Sequence, residues 1–232
     1  MQFQTELSRQ SPLHQKHQLL NAQFAAKGGW LVPEVYDGLE KQLSPQRASV
    51  AIADITAMGK LTVRGEGSPN LVASSFGFLP ARLGEVNFIQ ATGVIVAYLY
   101  LDEFFILTRP GEEKDTADLL KAGVAGQASL ISVVDATSGL VGLSLSGPES
   151  RSVMRKLCAL SLDEKDFPNL RIAQTSFAKV RTTILRRDMG NVPRYELFAD
   201  RSYAEYLWDS VMDAGMQFGI QPVGWQAFQG SN

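Results

Sequence analysis

Groups able to do acid–base or nucleophilic chemistry are few in this 232-residue chain, and their spacing decides how each is read. The two histidines, His14 and His17, are three apart. On a helix they would share a face, but no cysteine or acidic cluster joins them to complete a metal site, so they read as a solvated helix face. The single cysteine, Cys158, ends the helical run PESRSVMRKLC, at the end whose dipole disfavours a thiolate, and reads as a buried structural thiol. Asp54 lies in the strand-like VAIADIT before a tight turn, where it is either a functional carboxylate or an acceptor that stabilises the turn. Glu196 sits among Tyr195, Leu197 and Phe198. Strand alternation turns it to the face opposite Tyr195 and Leu197, where a carboxylate either meets solvent or binds something.

Missing motifs narrow the chemistry further. The run GLSLS lacks the final glycine of a nucleophile elbow, and neither GxGxxG nor GxxxxGK[ST] occurs, so no nucleotide enzyme is indicated. One cysteine excludes an intrachain disulfide and suits a reducing compartment, which points to the cytoplasm. Lys plus Arg number 22 against 24 Asp plus Glu, a balance that gives no positive field for nucleic acid. The longest apolar stretch, Val94 to Leu101, stops at Asp102–Glu103, short of the roughly 20 residues of a membrane helix. The start, MQFQTELSRQ, has no apolar core of a secretory signal.

The elements that must position these groups follow from periodicity. Leu13, Lys16, His17 and Leu20 predict a short docking helix opened by Ser11–Pro12, and WLVPEVYDG reads as an ordered turn packed on a core. VAIADIT and KLTVR, separated by AMG, read as a hairpin. The stretch 85–107 reads as a three-strand antiparallel meander, followed by a helix from about Glu112 to Ala122 with Gly123 just beyond its end. From Ser129 come a strand, a turn, a strand and the helix PESRSVMRKLC, with Pro148 at a first helical position. Strands near RIAQTS, VRTTILRR and RYELFA precede a last helix whose stripe is Tyr203, Tyr206, Leu207 and Val211, with Asp200 or Ser202 as its cap. A short strand near Gln221 to Val223 completes the pattern. The class is α+β with antiparallel sheets, divided as an N-terminal helix and arm (1–27), a first antiparallel-sheet half (28–125) and a ferredoxin-like second half (126–228).

Taken in order, SPLHQKHQLL, GGWLVPEVY, ASVAIADITAMGKLTVRG, LSLSGPESRSVMRKL and RYELFADRSYAEYLWDSVMDAG resemble the folate-binding aminomethyltransferase family, the glycine-cleavage T-protein and its relatives, from about Ser11 to Gly224. Within it, KLCALSL, AQTSFAKVRTTILRR and YELFADRSYAEYLWD are most similar to the gamma subunit of heterotetrameric sarcosine oxidase. The resemblance implies a T-protein-like fold, tetrahydrofolate as cofactor, and Glu196 at the position of the family's folate-binding glutamate. Met58, Tyr100 and Trp225 are the other implied contacts.

Departures from the family pattern carry as much information. Where T-proteins bear an aspartate after a Gly-Gly turn, this chain reads TGVIVAYLY, with Val96 and Ala97 at that place. A hydrocarbon there can neither hold a proton nor stabilise a developing cation. The Gly-Tyr-Thr-Gly loop is replaced by DMGNVPRYE, and GWQAF lacks the family's Arg-Asp pair. With the sequence read to Asn232, the expectation is that the C-terminal barrel of T-proteins is lacking. The expectation is a folate-fold protein of one-carbon metabolism without full aminomethyltransferase activity, holding tetrahydrofolate weakly or not at all. The alternative is a noncatalytic subunit of a sarcosine-oxidase-like flavoprotein complex, with Tyr203, Tyr206 and Trp208 at the interface. A third reading moves catalysis on a methylated amine to Asp54, Asp102 or Glu103.

Overall fold

The computed structural model describes residues 8–36, 49–125 and 129–229, so the opening MQFQTEL lies outside it. The chain begins with β1 (Arg9–Gln10), α1 (His14–Leu19), β2 (Ala22–Lys27) and β3 (Trp30–Tyr36). The strands form a small sheet in the order β1-β3-β2. WLVPEVY is therefore a strand rather than a turn. Its Pro33 is tolerated because the β2–β3 register shifts between Gln23 and Phe24, directly opposite the proline.

The expected hairpin of VAIADIT with KLTVR does not form. β4 (Ala51–Asp54) pairs with strands far away in sequence, whereas β5 (Gly59–Arg64) enters a second sheet. The reason lies in burial: all four β4 residues are buried, with Ile52 on one face and Ala51 and Ala53 on the other. A strand buried on both faces belongs inside a covered sheet, not in a two-stranded ribbon. At the crossing, Asp54 Oδ1 accepts the Thr56 N–H at 2.9 Å, and the Lys60 amine donates to the Thr56 and Met58 carbonyls at 2.7 and 2.8 Å.

After β5 come α2 (Ser68–Phe76), β6 (Val86–Ile89), β7 (Val94–Tyr100), β8 (Glu103–Thr108), α3 (Glu113–Val124) and β9 (Ser132–Asp135). The meander forms as expected, within a five-stranded antiparallel sheet of order β6-β7-β8-β5-β9. α2 and α3 cover its outer face through Leu71, Val72, Ala117 and Leu120. Gly123 lies inside α3 rather than beyond it. A Cβ there would come within 2.5 Å of Leu71 Cδ1, so the glycine is needed for the close approach of α2.

The chain then returns to the first large sheet with β10 (Leu140–Ser146), α4 (Ser150–Leu157), β11 (Arg171–Phe177), β12 (Val180–Arg186), β13 (Arg194–Asp200), α5 (Ala204–Gly215), β14 (Gln221–Pro222) and α6 (Trp225–Gln229). Its order is β11-β12-β13-β10-β4-β14. α4 and α5 pack on the outer face, the ferredoxin-like disposition, with β12 and β13 both lying between β10 and β11. Pro148 precedes α4 by two residues instead of opening it, because the turn at Gly147 takes it up. The buried stripe of α5 is Ala204, Leu207, Trp208 and Val211, whereas Tyr203 and Tyr206 stay about half exposed. Trp208 is inside, with its ring 5.1 Å from His17, and so is removed from any interface. Cys158 is buried as expected, and burial pushes its thiol up. A third apolar layer, including Met58, Ala97, Phe105, Leu185, Phe198 and Trp225, fills the space between the two large sheets. Among the described residues no helix is long and apolar enough to cross a membrane.

The N-terminal segment is fastened by groups whose expected solvent exposure is overturned. His17 is fully buried: Nε2 meets Asp54 Oδ2 at 2.9 Å and Nδ1 meets the Tyr36 hydroxyl at 2.8 Å. Its helix face docks because α1 packs on the sheet edge, with Lys16 paired to Asp209 of α5. Burial alone would raise the Asp54 carboxyl, but hydrogen bonds with His17, Ser11 and Thr56 and the His17 charge hold it below the ordinary range.

Two outcomes are expected. Asp54→Asn or His17→Ala strands a buried partner and lowers urea-unfolding stability by about 3–5 kcal/mol. The contribution of Asp54 is present above its ordinary value of 3.8 and is lost as pH falls through the depressed folded value, so the Asn variant loses part of the wild type's acid sensitivity. Burial likewise pushes the Lys60 ammonium down from 10.5 to about 7, against the pull of Asp54, Asp135 and Glu113. Lys60→Met leaves two carbonyls without donors and costs about 1–3 kcal/mol. Between the folded and unfolded values the native state holds fewer protons, so the stability gap between wild type and variant widens from pH 7 to pH 10. A gap that stays constant over that window contradicts the buried-amine assignment.

Candidate functional site

Between strands of the two large sheets a cleft of about 370 Å³ opens on the apolar layer. Leu99, Phe105, Leu140 and Phe198 line it, and Glu103, Gln174, Lys179 and Arg181 are among its polar lining. The size falls within the range of small-molecule sites. β7 and β8 supply one wall and β12 and β13 the other, joined across the layer by the Phe105 and Phe198 rings at 5.3 Å.

The expected contacts occupy two levels. Tyr100 is at the rim, 43% exposed, its hydroxyl 3.4 Å from Gln174 Oε1. Met58 and Trp225 are buried in the apolar layer. Glu196 is fully buried and shares the β13 face of Phe198, but it does not line the cleft. Its cross-strand neighbours are Leu185 on β12 and Ser144 on β10. The structure therefore brings Met58, Glu196 and Trp225 into one interior layer and leaves Tyr100 outside it.

β7 contributes no acid to this layer. Ala97 faces it, opposite Phe105 in register, while Val96 faces the layer beneath α2 and α3. Of the other carboxylates considered, Asp54 is engaged by His17, and Asp102 sits at the β7–β8 turn with φ of 56°. Glu103 does line the cleft, bound by Arg64 at 2.7 and 3.1 Å. Among the described residues no group of three or more His, Cys, Asp or Glu could hold a metal ion.

The arginines around Glu196 were missed in the sequence. Arg187 Nη2 donates to Glu196 Oε1 at 2.9 Å, and Arg194 Nε lies 3.5 Å from the same oxygen while donating to the Arg187 carbonyl at 3.1 Å. Each guanidinium lies over an aromatic ring, Arg187 over Phe88 and Arg194 over Phe228, both at 5.3 Å. Burial lowers Arg194 to about 10, with Glu196 pulling the other way. Glu196 Oε2 and Trp225 Nε1 are buried without a hydrogen-bond partner among the described residues. A signal for the pair did exist. Arg187 and Arg194 flank the β12–β13 turn, with the Arg187 N–H donating to the Arg194 carbonyl at 2.9 Å, so a hairpin reading of RRDMGNVPRYE already sets two cations beside Glu196.

Outside the Arg187–Glu196 pair a second cavity, of about 510 Å³, is lined by Val86, Asn87, Phe88, Met189 and both arginines. The buried carboxylate thus lines neither cavity: Phe198, on its own strand face, lines the cleft, and the two guanidinium groups line the second cavity.

Comparison with known proteins places this geometry. Residues 13–231 match the family described as the GCVT N-terminal domain. The aminomethyltransferase of Mycobacterium avium (strain 104) is 29% identical over 222 residues, covering 92% of this chain and 59% of that protein. The aminomethyltransferase of Chloroherpeton thalassium is 27% identical over 225 residues, covering 92% and 61%. The chain spans about three fifths of the length of these curated relatives. Among solved structures, the glycine cleavage system aminomethyltransferase T of Bartonella henselae superposes with a TM-score of 0.75 at 20% identity, over 94% of this chain and 60% of that one. A chain of the heterotetrameric sarcosine oxidase of Corynebacterium sp. U-96 superposes with a TM-score of 0.69 at 22% identity, over 93% of this chain and 98% of that one. With the family model matching nearly the whole chain, and the fold shared with the aminomethyltransferase structure, this protein belongs to the GCVT N-terminal domain family.

Proposed function

We propose that this protein keeps an aminomethyltransferase-like scaffold of one-carbon metabolism, in the cytoplasm, without full aminomethyltransferase catalysis. The observation that carries the reading is the interior layer itself. Ala97 stands where an acid would be needed, and the carboxylate that does reach the layer, Glu196, is bound to Arg187. A methylated-amine donor would meet no proton-holding group from β7, and loss of such a group commonly costs 10²-fold or more in rate.

Tetrahydrofolate, the cofactor the resemblance implies, presents a paired N–H edge that a carboxylate grips with both oxygens. Here Oε1 of Glu196 is engaged by Arg187, and only Oε2 is open. Phe105 and Phe198 line the cleft with their rings 5.3 Å apart, and Leu185 is paired across the strands with Glu196. These residues do not fit a two-point grip on the pterin. Met58, Tyr100 and Trp225 are the further contacts proposed for a weakly held folate, Tyr100 exposed beside the cleft and Met58 and Trp225 buried in the layer behind it. Isothermal calorimetry with tetrahydrofolate is expected to give a Kd weaker than about 0.1 mM, or no heat. Tight binding abolished by Glu196→Gln would overturn this reading.

A second reading, a noncatalytic gamma-type subunit of a sarcosine-oxidase-like flavoenzyme, is supported by the superposition on a chain of the heterotetrameric oxidase, of which this chain covers 98%. Exposed Tyr203, just ahead of α5, and Tyr206 on α5 would then meet the partner. Purification of the tagged chain from its native cells is expected to bring down a flavin-absorbing partner. A lone monomer that binds folate contradicts the subunit reading.

A further inference from the structure

Arg187 occupies Glu196 in a manner that suggests what the pocket would take in its place. Its guanidinium is a flat N–C–N cation. One face lies over the Phe88 ring at 5.3 Å, and one edge donates to Glu196 Oε1 at 2.9 Å. The amino-pyrimidinone edge of a pterin has the same planar N–C–N donor pattern. We propose that Arg187 is an internal surrogate ligand: its side chain fills a slot, made by Phe88 and Glu196, that is selective for planar N–C–N donors. The proposal rests on Glu196 being the acceptor of the candidate site.

Several features support a slot rather than a simple core ion pair. The slot has an entrance, because the cavity of about 510 Å³ is lined by Phe88 and Arg187, and Phe88 is 40% exposed. The acceptor is only half used, since Glu196 Oε2 is buried with no hydrogen-bond partner among the described residues. Two open acceptor positions on one carboxylate would match a two-donor edge once Arg187 is removed. Arg194 does not supply that edge. Its Nε is 3.5 Å from Oε1, it donates to the Arg187 carbonyl, and its guanidinium lies over Phe228.

Removing the plug should therefore create a binding site. The test uses the full chain as wild type, Arg187→Ala, Arg187→Met and Arg187→Ala combined with Glu196→Gln, titrated with methylguanidinium chloride at low millimolar, non-denaturing concentrations. Methylammonium chloride controls for ionic strength and charge. Methylguanidinium is expected to raise the Tm of Arg187→Ala saturably, by about 2–4 °C near five times its Kd. It should leave the wild type and the double variant unchanged, and methylammonium should raise none of them. If Arg187→Ala does not fold alone, its refolding yield with methylguanidinium, and the Tm of Arg187→Met, carry the same expectation. No response in either single variant, or an equal response with Glu196→Gln present, overturns the proposal. Folate is absent from the experiment, so weak or missing tetrahydrofolate binding by the wild type bears on the previous reading alone.

Discussion

A carboxylate shut away from water between two packed sheets is the constraint around which this interior is arranged. An isolated buried charge costs several kcal/mol after relaxation, so Glu196 persists only with a cation at hydrogen-bond distance. That requirement reaches outward through the fold. The β12–β13 turn must present Arg187 and Arg194 on the Glu196 face, and Phe88 and Phe228 must offer ring faces to the two guanidinium groups. The apolar remainder of the layer, from Met58 to Trp225, then packs around the pair.

Asp54 poses the same problem and is accommodated by different means. It lies at the end of β4, where the backbone turns out of one sheet toward the other, and its oxygens take donors from Ser11, His17 and Thr56. Neutral hydroxyl and amide donors share the work with an imidazole, and Tyr36 orients that imidazole from behind. The carboxylate thereby joins the N-terminal sheet to the crossing. Glu196, by contrast, is satisfied on one oxygen by a side chain from its own hairpin. One buried acid serves attachment, and the other keeps an open coordination position. This difference is why the candidate site centres on Glu196.

Local patterns were legible in the sequence wherever neighbours in the chain are neighbours in space. The 85–107 meander, a helix starting within one residue of Glu112 and a helix starting two residues after Pro148 depend on short-range pairing, whereas Asp200, accepting the Ser202 N–H at 2.9 Å, caps the short turn ahead of α5 rather than α5 itself. Elements joined across long separations were not legible. β4 looks like half of a hairpin until its distant partner β10 is known, with Leu143 opposite Asp54 and Ser146 opposite Ala51. α2 was missed because its nine residues include three serines and little periodic signal. His17 and Trp208 seemed to belong to outward faces because the sequence does not show that α1 lies beside α5. Alternation set Glu196 on the face opposite Tyr195 and Leu197 without showing whether that face is buried, its importance came from resemblance, and the guanidinium on it required the folded turn.

The course of the backbone between β4 and β10 bears on how the molecule can assemble. These strands are direct neighbours, Leu143 opposite Asp54, yet the entire five-stranded unit is threaded between them. Closing so long a loop in a disordered chain carries an entropic charge, and such non-local pairing is slow. The inserted unit shortens the search if it collapses first, because it returns its two ends together: Leu61 lies opposite Asp135, and the Ala136 N–H donates to the Lys60 carbonyl at 2.8 Å. Kinetically, the guest unit then acts as a clasp for its host, and the order of assembly favoured by chain entropy runs from the middle of the polypeptide outward.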